Sequence, residues 1–105
     1  MKFYDSTKKQ LIYIEKKASP SFWDEHWNID GNIKDELLKI KHSLVSQVTR
    51  KYMKPKDGII LEGGCGRGEH VASLTNSGYR AIGLDYAKKT VDKLNKYVPE
   101  LDIRF

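Results

Sequence analysis

The stretch from Leu61 to Gly68, LEGGCGRG, holds the residues whose types and spacing could do chemistry. It contains four of the chain's eight glycines, one carboxylate, one arginine and the only cysteine. Glycine inside regular structure costs roughly 0.5–1 kcal/mol relative to alanine, so the cluster indicates a sharp turn or the close approach of another group. A glycine-rich loop between a buried strand and a helix binds nucleotide-like ligands, because its N–H groups and the helix dipole point outward.

The spacing of these glycines separates the classes of nucleotide site. A dinucleotide motif G-x-G-x-x-G that begins at Gly64 would need its third glycine where the chain has Glu69, and the sequence lacks the lysine and hydroxyl residue of a P-loop. Glu62 would also repel a pyrophosphate. Asp85 follows the next predicted strand, where a carboxylate can accept hydrogen bonds from a ribose diol. Alternatively, Asp85 caps the helix after it.

The pattern Glu62-x-Gly64-x-Gly66-x-Gly68, with Asp85 in the later stretch GLDYA, resembles the first two motifs of the class I S-adenosylmethionine (SAM)-dependent methyltransferases. The resemblance extends from about Ser19 to Phe105, and FWDEHW looks like the aromatic N-terminal helix of many small-molecule methyltransferases in this family. It implies methyl transfer from the cofactor S-adenosyl-L-methionine to a small-molecule acceptor. It assigns no catalytic residue. The implied cofactor-binding residues are Glu62, Gly63, Gly64, Cys65, Gly66, Gly68, Asp85 and Tyr86, with Tyr86 beside the adenine.

Two positions depart from the family pattern. Gly63 stands where a larger apolar residue is common, and Ala87 replaces the serine that often caps the following helix, a loss of roughly 1 kcal/mol. Cys65 is expected to be a small loop residue rather than a nucleophile, because no base is positioned to activate it. The histidines are far apart and form no metal-ligand pattern with the cysteine, so no metal is expected.

The elements ahead of the loop are predicted from caps and apolar periodicity. Ser19 or Ser21, with Pro20, begins a short aromatic helix over SPSFWDEHWN. Its aromatic residues either pack in the core or form a lid over the cofactor, so residues 1–31 are interpreted as an N-terminal aromatic helical lid or packing segment. The apolar run Leu11–Ile14 fits a strand or a helix. One long amphipathic helix is predicted from about Asn32 to Tyr52; its apolar positions are Ile33, Leu37, Ile40, Leu44, Val48 and Tyr52.

Strands and helices then alternate through the rest of the chain. Strands are predicted at Ile59–Leu61, over YRAIGLD and from Leu101 onward, with helices at Glu69–Asn76 and Ala87–Val98. This order predicts an α/β fold with a right-handed βαβαβ unit and a parallel sheet in strand order 3-2-1. We therefore expect one partial SAM-binding domain over residues 1–105, a Rossmann-like three-layer sandwich that is incomplete at about three strands.

Composition limits the remaining possibilities. The 105 residues are 39% hydrophobic and contain neither the ~18-residue apolar run of a membrane span nor a secretory signal, so a cytoplasmic protein is expected. The net charge of +5 is spread over lysines along the chain, so a nucleic-acid partner is not expected.

The resemblance also predicts how the chain relates to a whole enzyme. Family members continue through further strands that hold the methyl acceptor, so we expect an N-terminal half that is inactive alone. The edge of its first strand would be exposed and open to self-association. Two alternatives remain open: a SAM-binding module completed by a second copy or a partner chain, and a fragment of a dinucleotide-binding oxidoreductase.

Overall fold

The computed structural model describes residues 2–13 and 18–105. Within them, no helix is long and apolar enough to cross a membrane. A 3₁₀ turn covers Pro55–Asp57. The strands are β1 (Lys2–Asp5), β2 (Gln10–Tyr13), β3 (Ile59–Gly63), β4 (Arg80–Leu84) and β5 (Asp102–Arg104). The helices are α1 (Pro20–Trp27), α2 (Ile33–Lys39), α3 (Leu44–Tyr52), α4 (Glu69–Asn76) and α5 (Lys88–Tyr97).

The second half of the chain is a mixed α/β unit around a three-stranded parallel sheet. The strand order is β3-β4-β5, with Glu62 opposite Gly83 and Gly83 opposite Ile103. Helices α4 and α5 connect the successive strands. The predicted parallel sheet and its strand order are therefore confirmed.

The two faces of this sheet differ in burial. The face that carries Gly83 and its strand neighbour Ile103 packs against Val71 of α4, and the core cluster includes apolar residues of α2, α4 and α5. On the opposite face Ile59 is 48% exposed and Leu61 is 64% exposed. The described residues thus show a sheet with helices on one face, which is two of the three predicted layers.

The prediction of a single helix from Asn32 to Tyr52 is wrong. The chain forms α2 and α3 with a break between them, because Ser43 adopts extended dihedral angles and caps α3. The Ser43 Oγ accepts a hydrogen bond from the Ser46 amide at 3.1 Å, and the Ser46 Oγ accepts one from the Ser43 amide at 2.9 Å. The side-chain amide of Asn76 donates to the carbonyl oxygens of Leu37 and Ile40 at the end of α2. Local serine caps and Asn76 thus outweigh the apolar periodicity.

The break also changes which residues of α3 are buried. Ser46 is fully buried, whereas Leu44 is 76% exposed and Tyr52 is 85% exposed. The apolar face predicted for the second half of the long helix is therefore also wrong, since α3 presents its serine to the protein and most of its apolar residues to the surface.

The N-terminal segment contains a strand hairpin ahead of the predicted aromatic helix. β1 and β2 form an antiparallel hairpin that pairs Phe3 with Ile12, and Oδ1 of Asp5 accepts hydrogen bonds from two amides of its turn. The run Leu11–Ile14 is a strand up to Tyr13, and Ile14 lies outside the described residues. The helical part is α1, which the Ser19 side chain caps as predicted.

Candidate functional site

The glycine loop connects the end of β3 to the start of α4. Gly64, Gly66 and Gly68 have φ angles of 70°, 53° and 79°, which lie in the left-handed region that side chains disfavour. The Gly68 amide donates to the Cys65 carbonyl at 2.9 Å, and the Cys65 amide donates to the Leu84 carbonyl at 3.0 Å. The loop is therefore a tight turn anchored on β4.

The surroundings of Gly64 and Gly66 are different, although the sequence suggested one role for both. A methyl group at Gly66 would lie 2.7 Å from Cζ2 of Trp27, so the indole ring rests directly on this glycine. A methyl group at Gly64 or at Gly63 would meet no atom within 4 Å. Gly64 thus faces open space, whereas Gly66 makes room for Trp27.

Asp85 ties the loop to the start of α5. Its Oδ2 atom accepts a hydrogen bond from the Gly66 amide, and its Oδ1 atom accepts one from the Ala87 amide, both at 2.9 Å. Each carboxylate oxygen has two lone pairs, so each can accept a further hydrogen bond. Asp85 therefore has the backbone-capping role that the sequence left open, and it retains capacity for a ligand.

Glu62 lies at the end of β3 in a partly desolvated position. Burial raises the pKa of its carboxyl above the ordinary value of 4.5, while the nearby His70 and the Val71 amide act in the opposite direction. Its buried Oε2 atom has no hydrogen-bond partner among the described residues. A buried carboxylate oxygen without a donor favours a cation or an N–H group next to it.

Arg67 is the basic group nearest to Glu62 along the loop. Its guanidinium is 2.7 Å from a carboxylate oxygen of Glu36 on α2, while its buried Nε has no hydrogen-bond partner among the described residues. The contact with Glu36 spans 31 positions and could not be inferred from local spacing.

Cys65 is buried beneath the loop. Burial, with Asp85 and Glu62 nearby, raises the pKa of its thiol to about 12. A thiol with this pKa is almost entirely protonated at neutral pH and is a poor nucleophile. The structure therefore agrees with the expectation that Cys65 is a packing residue of the loop.

Gly83 on β4 contributes to the packing of the glycine loop, a role that was not predicted from the sequence. A methyl group there would lie 2.9 Å from Sγ of Cys65 and 2.8 Å from Cδ1 of Ile103. Any side chain at this position would force Ile103, Cys65 and Val71 to shift, so glycine lets the loop pack closely on the sheet. A glycine inside an apolar strand was the signal for such a close approach.

Aromatic residues line the open side of the loop. Trp23 and Trp27 of α1 are stacked with ring centroids 5.9 Å apart. Across the loop, Tyr86 is 51% exposed, and its hydroxyl donates to the carbonyl oxygen of Ala18 at 3.2 Å. Trp23, Trp27 and Tyr86 therefore surround the open space at Gly64.

Three cavities meet at Gly64. The first, about 450 Å³, is apolar and is lined by Leu84, Asp85, Tyr86 and Phe105. The second, about 180 Å³, lies between the two tryptophans and Asp85. The third, about 190 Å³, is lined by Trp27, Glu62, Cys65, Arg67, Glu69 and His70. Together they form one elongated groove at the carboxyl ends of β3 and β4, which we call the Gly64 groove.

The groove is lined by five of the eight residues predicted to bind a cofactor, namely Glu62, Gly64, Cys65, Asp85 and Tyr86. Gly63 and Gly66 line none of the three cavities, and Gly68 precedes α4 and faces the core. Within the described residues, no group of three or more His, Cys, Asp or Glu side chains is arranged to hold a metal ion. A separate polar cavity of about 430 Å³ lies away from the loop, between α1 and α5.

Comparison of the chain with models of protein families, with curated proteins and with solved structures gave no match, so the geometry of the Gly64 groove has to carry the functional interpretation.

Proposed function

We propose that the chain is the cofactor-binding half of a class I SAM-dependent methyltransferase with a Rossmann-like fold. The observation that carries the proposal is the Gly64 groove, which runs from an apolar end past Asp85 to Glu62. Ligands of parallel α/β sheets bind outside the carboxyl ends of the strands, which is where this groove lies. SAM has matching chemistry along its length: an adenine, a ribose diol, and an amino-acid end with a sulfonium and an ammonium.

The Glu62 end of the groove suits the cationic part of SAM. An ammonium group beside Oε2 would supply the missing donor and would offset the desolvation that raises the pKa of this carboxyl. Arg67 lines the same cavity, and its Nε–H, which has no hydrogen-bond partner among the described residues, could donate to the ligand carboxylate. A pyrophosphate would instead be repelled by Glu62, which favours SAM over a dinucleotide.

The middle and the apolar end of the groove suit the nucleoside. Asp85 has one free acceptor position on each carboxylate oxygen, enough for the two hydroxyls of a ribose. Leu84, Tyr86 and Phe105 line the cavity beyond it, where an adenine can lie against flat apolar surface.

In this proposal, the chemistry that SAM supplies is an activated methyl group, taken by an oxygen, nitrogen, carbon or sulfur atom of a small-molecule acceptor. The residues of this chain bind and orient the donor: Glu62 fixes the charged end, Asp85 fixes the ribose, and the tryptophans exclude water. Positioning of this kind can contribute many orders of magnitude without a covalent intermediate. No residue of the chain is assigned as a general base.

Calorimetric titration with SAM, S-adenosylhomocysteine and NAD tests the proposal. Binding rather than turnover is the readout, since the proposal concerns the cofactor half. We expect saturable binding of SAM with a Kd below about 1 mM, and NAD at least about tenfold weaker. Binding of NAD alone would refute the methyltransferase assignment and favour the oxidoreductase alternative.

A further inference from the structure

Helix α5 receives its N-terminal cap from a residue 66 positions away. The Oδ1 atom of Asp24 on α1 accepts a hydrogen bond from the Thr90 amide at 2.8 Å and another from the Thr90 hydroxyl at 2.9 Å. Thr90 is 2% exposed and Asp24 is half-buried at the edge of the polar cavity, so both bonds are partly shielded from water. Asp24 therefore joins α1 to the first turn of α5.

The sequence of α5 explains why a cap from outside is needed. Ala87 occupies the N-cap position and has no side-chain acceptor, and Thr90 is the third residue of the helix, whose amide an N-cap side chain usually binds. The first turn has no acidic residue and begins with Lys88 and Lys89, which are unfavourable near the positive end of the helix dipole. The Asp24 carboxylate supplies the acceptor for Thr90, and it adds its negative charge to that of Asp85, which already accepts from the Ala87 amide.

The same helix carries the aromatic wall of the Gly64 groove. Trp23 and Trp27 flank Asp24 in the sequence and line the cavity next to Asp85. No residue of α1 is fully buried, and Trp27 is its one side chain that packs, half-buried, against the core cluster among the described residues. The specific contacts that fix it are the Asp24–Thr90 bonds, the Tyr86–Ala18 hydrogen bond and the packing of Trp27 on Gly66.

We propose that Asp24 is a positioning residue: by capping α5 it docks α1 over the glycine loop and thereby sets the affinity of the Gly64 groove for its ligand. The inference concerning affinity rests on the proposed function. Asp24 lines none of the three cavities of the groove, so it acts through the tryptophans. When α1 is docked, the wall of the groove is complete; when the cap is broken, α1 moves away and the groove opens to water.

Tryptophan fluorescence reports directly on this docking, because the chain has two tryptophans and both lie in α1. We expect Asp24→Ala to increase quenching by iodide and to shift the emission to longer wavelength. Glu25→Ala is the matched control, since it removes the same charge from the next residue of α1. Asp24→Asn should retain most of the wild-type behaviour, because asparagine is also a good N-cap residue.

Titration with SAM measures the consequence for affinity. The loss of one cap contact predicts a Kd about fivefold to thirtyfold higher in Asp24→Ala. In a Trp27→Leu background, Asp24→Ala should change the Kd by less than about twofold, because the effect passes through Trp27. If Asp24 affected only α5, Asp24→Ala would raise the Kd by the same factor in the wild-type and Trp27→Leu backgrounds. This result would overturn the proposal.

Two further outcomes are decisive. Unchanged iodide quenching in Asp24→Ala, in a protein whose circular dichroism is that of a folded chain, would overturn the docking role. A wild-type chain that binds no SAM would refute the proposed function and the effect on affinity with it. The quenching experiment needs no ligand and would still accept or reject the docking of α1 by Asp24.

Discussion

Replacing Gly66 by alanine tests the contact between α1 and the glycine loop. The added methyl carbon would lie 2.7 Å from Cζ2 and 2.8 Å from Cε2 of Trp27, much closer than van der Waals contact. Gly64→Ala is the matched control, since Gly64 has a similar φ angle, 70° against 53°, and open space around it. Left-handed strain costs about 1–2 kcal/mol in either variant. Overpacking against Trp27 adds about 1–3 kcal/mol in Gly66→Ala alone, unless the indole moves away.

Urea unfolding followed by circular dichroism measures this difference, and tryptophan emission shows whether the indole moves. We expect Gly66→Ala to be less stable than Gly64→Ala, or to show a displaced Trp27. In a Trp27→Ala background, the extra cost at Gly66 should disappear, because the clashing atoms are gone. Equal unfolding free energies and unchanged emission in the two glycine variants would show that Trp27 does not lie on the loop, and would refute the reasoning.

Three more predictions concern the groove. Asp85→Ala should lower the free energy of unfolding by about 1–3 kcal/mol, because the Gly66 and Ala87 amides lose their acceptor, and urea unfolding measures this effect. The same substitution should weaken SAM binding at least about tenfold in calorimetry. Unchanged binding would contradict the assignment of Asp85 to the ribose. Burial raises the pKa of Glu62, so the folded chain binds the carboxyl proton more tightly than the unfolded chain does. The contribution of Glu62 to the stability of the chain should therefore fall as pH rises from 4.5 toward the pKa of the folded state. SAM affinity should rise over the same range, and Glu62→Gln should remove both trends in unfolding and binding measured against pH. Because burial raises the pKa of the Cys65 thiol to about 12, we expect it to react with a disulfide reagent at least about tenfold more slowly than a free thiol. A rapid reaction in the folded state would contradict its burial.

The order of elements from β3 to β5 could be predicted because each has a clear local signal. Short apolar runs, the glycines after β3 and after α4, and the proline after α5 are all readable in the sequence. The break between α2 and α3 could not be predicted from apolar spacing, because two serines and Asn76 decide it. Ser43 and Ser46 could have been recognised as a capping pair, but Asn76 lies more than thirty positions away.

The placement of Glu62 and Asp85 beside the loop follows from topology, since the carboxyl ends of parallel strands meet at one edge of the sheet. The difference between Gly64, which faces open space, and Gly66, which lies under Trp27, does not follow from the topology. The Asp24–Thr90 bonds help to hold α1 where Trp27 lies on Gly66, and neither contact has a local pattern in the sequence. Ala87 indicates that α5 needs an acceptor from elsewhere, because its side chain cannot cap the helix, but it does not indicate which residue supplies that acceptor.

The most direct test of the central claim is to map ligand binding onto backbone amides by NMR titration with SAM. The account predicts that chemical shifts change at residues 62–68 and at Asp85 and Tyr86, and that S-adenosylhomocysteine affects the same amides. Changes confined to the polar cavity between α1 and α5, or no saturable change up to about 1 mM ligand, would contradict the assignment of the Gly64 groove as a SAM site.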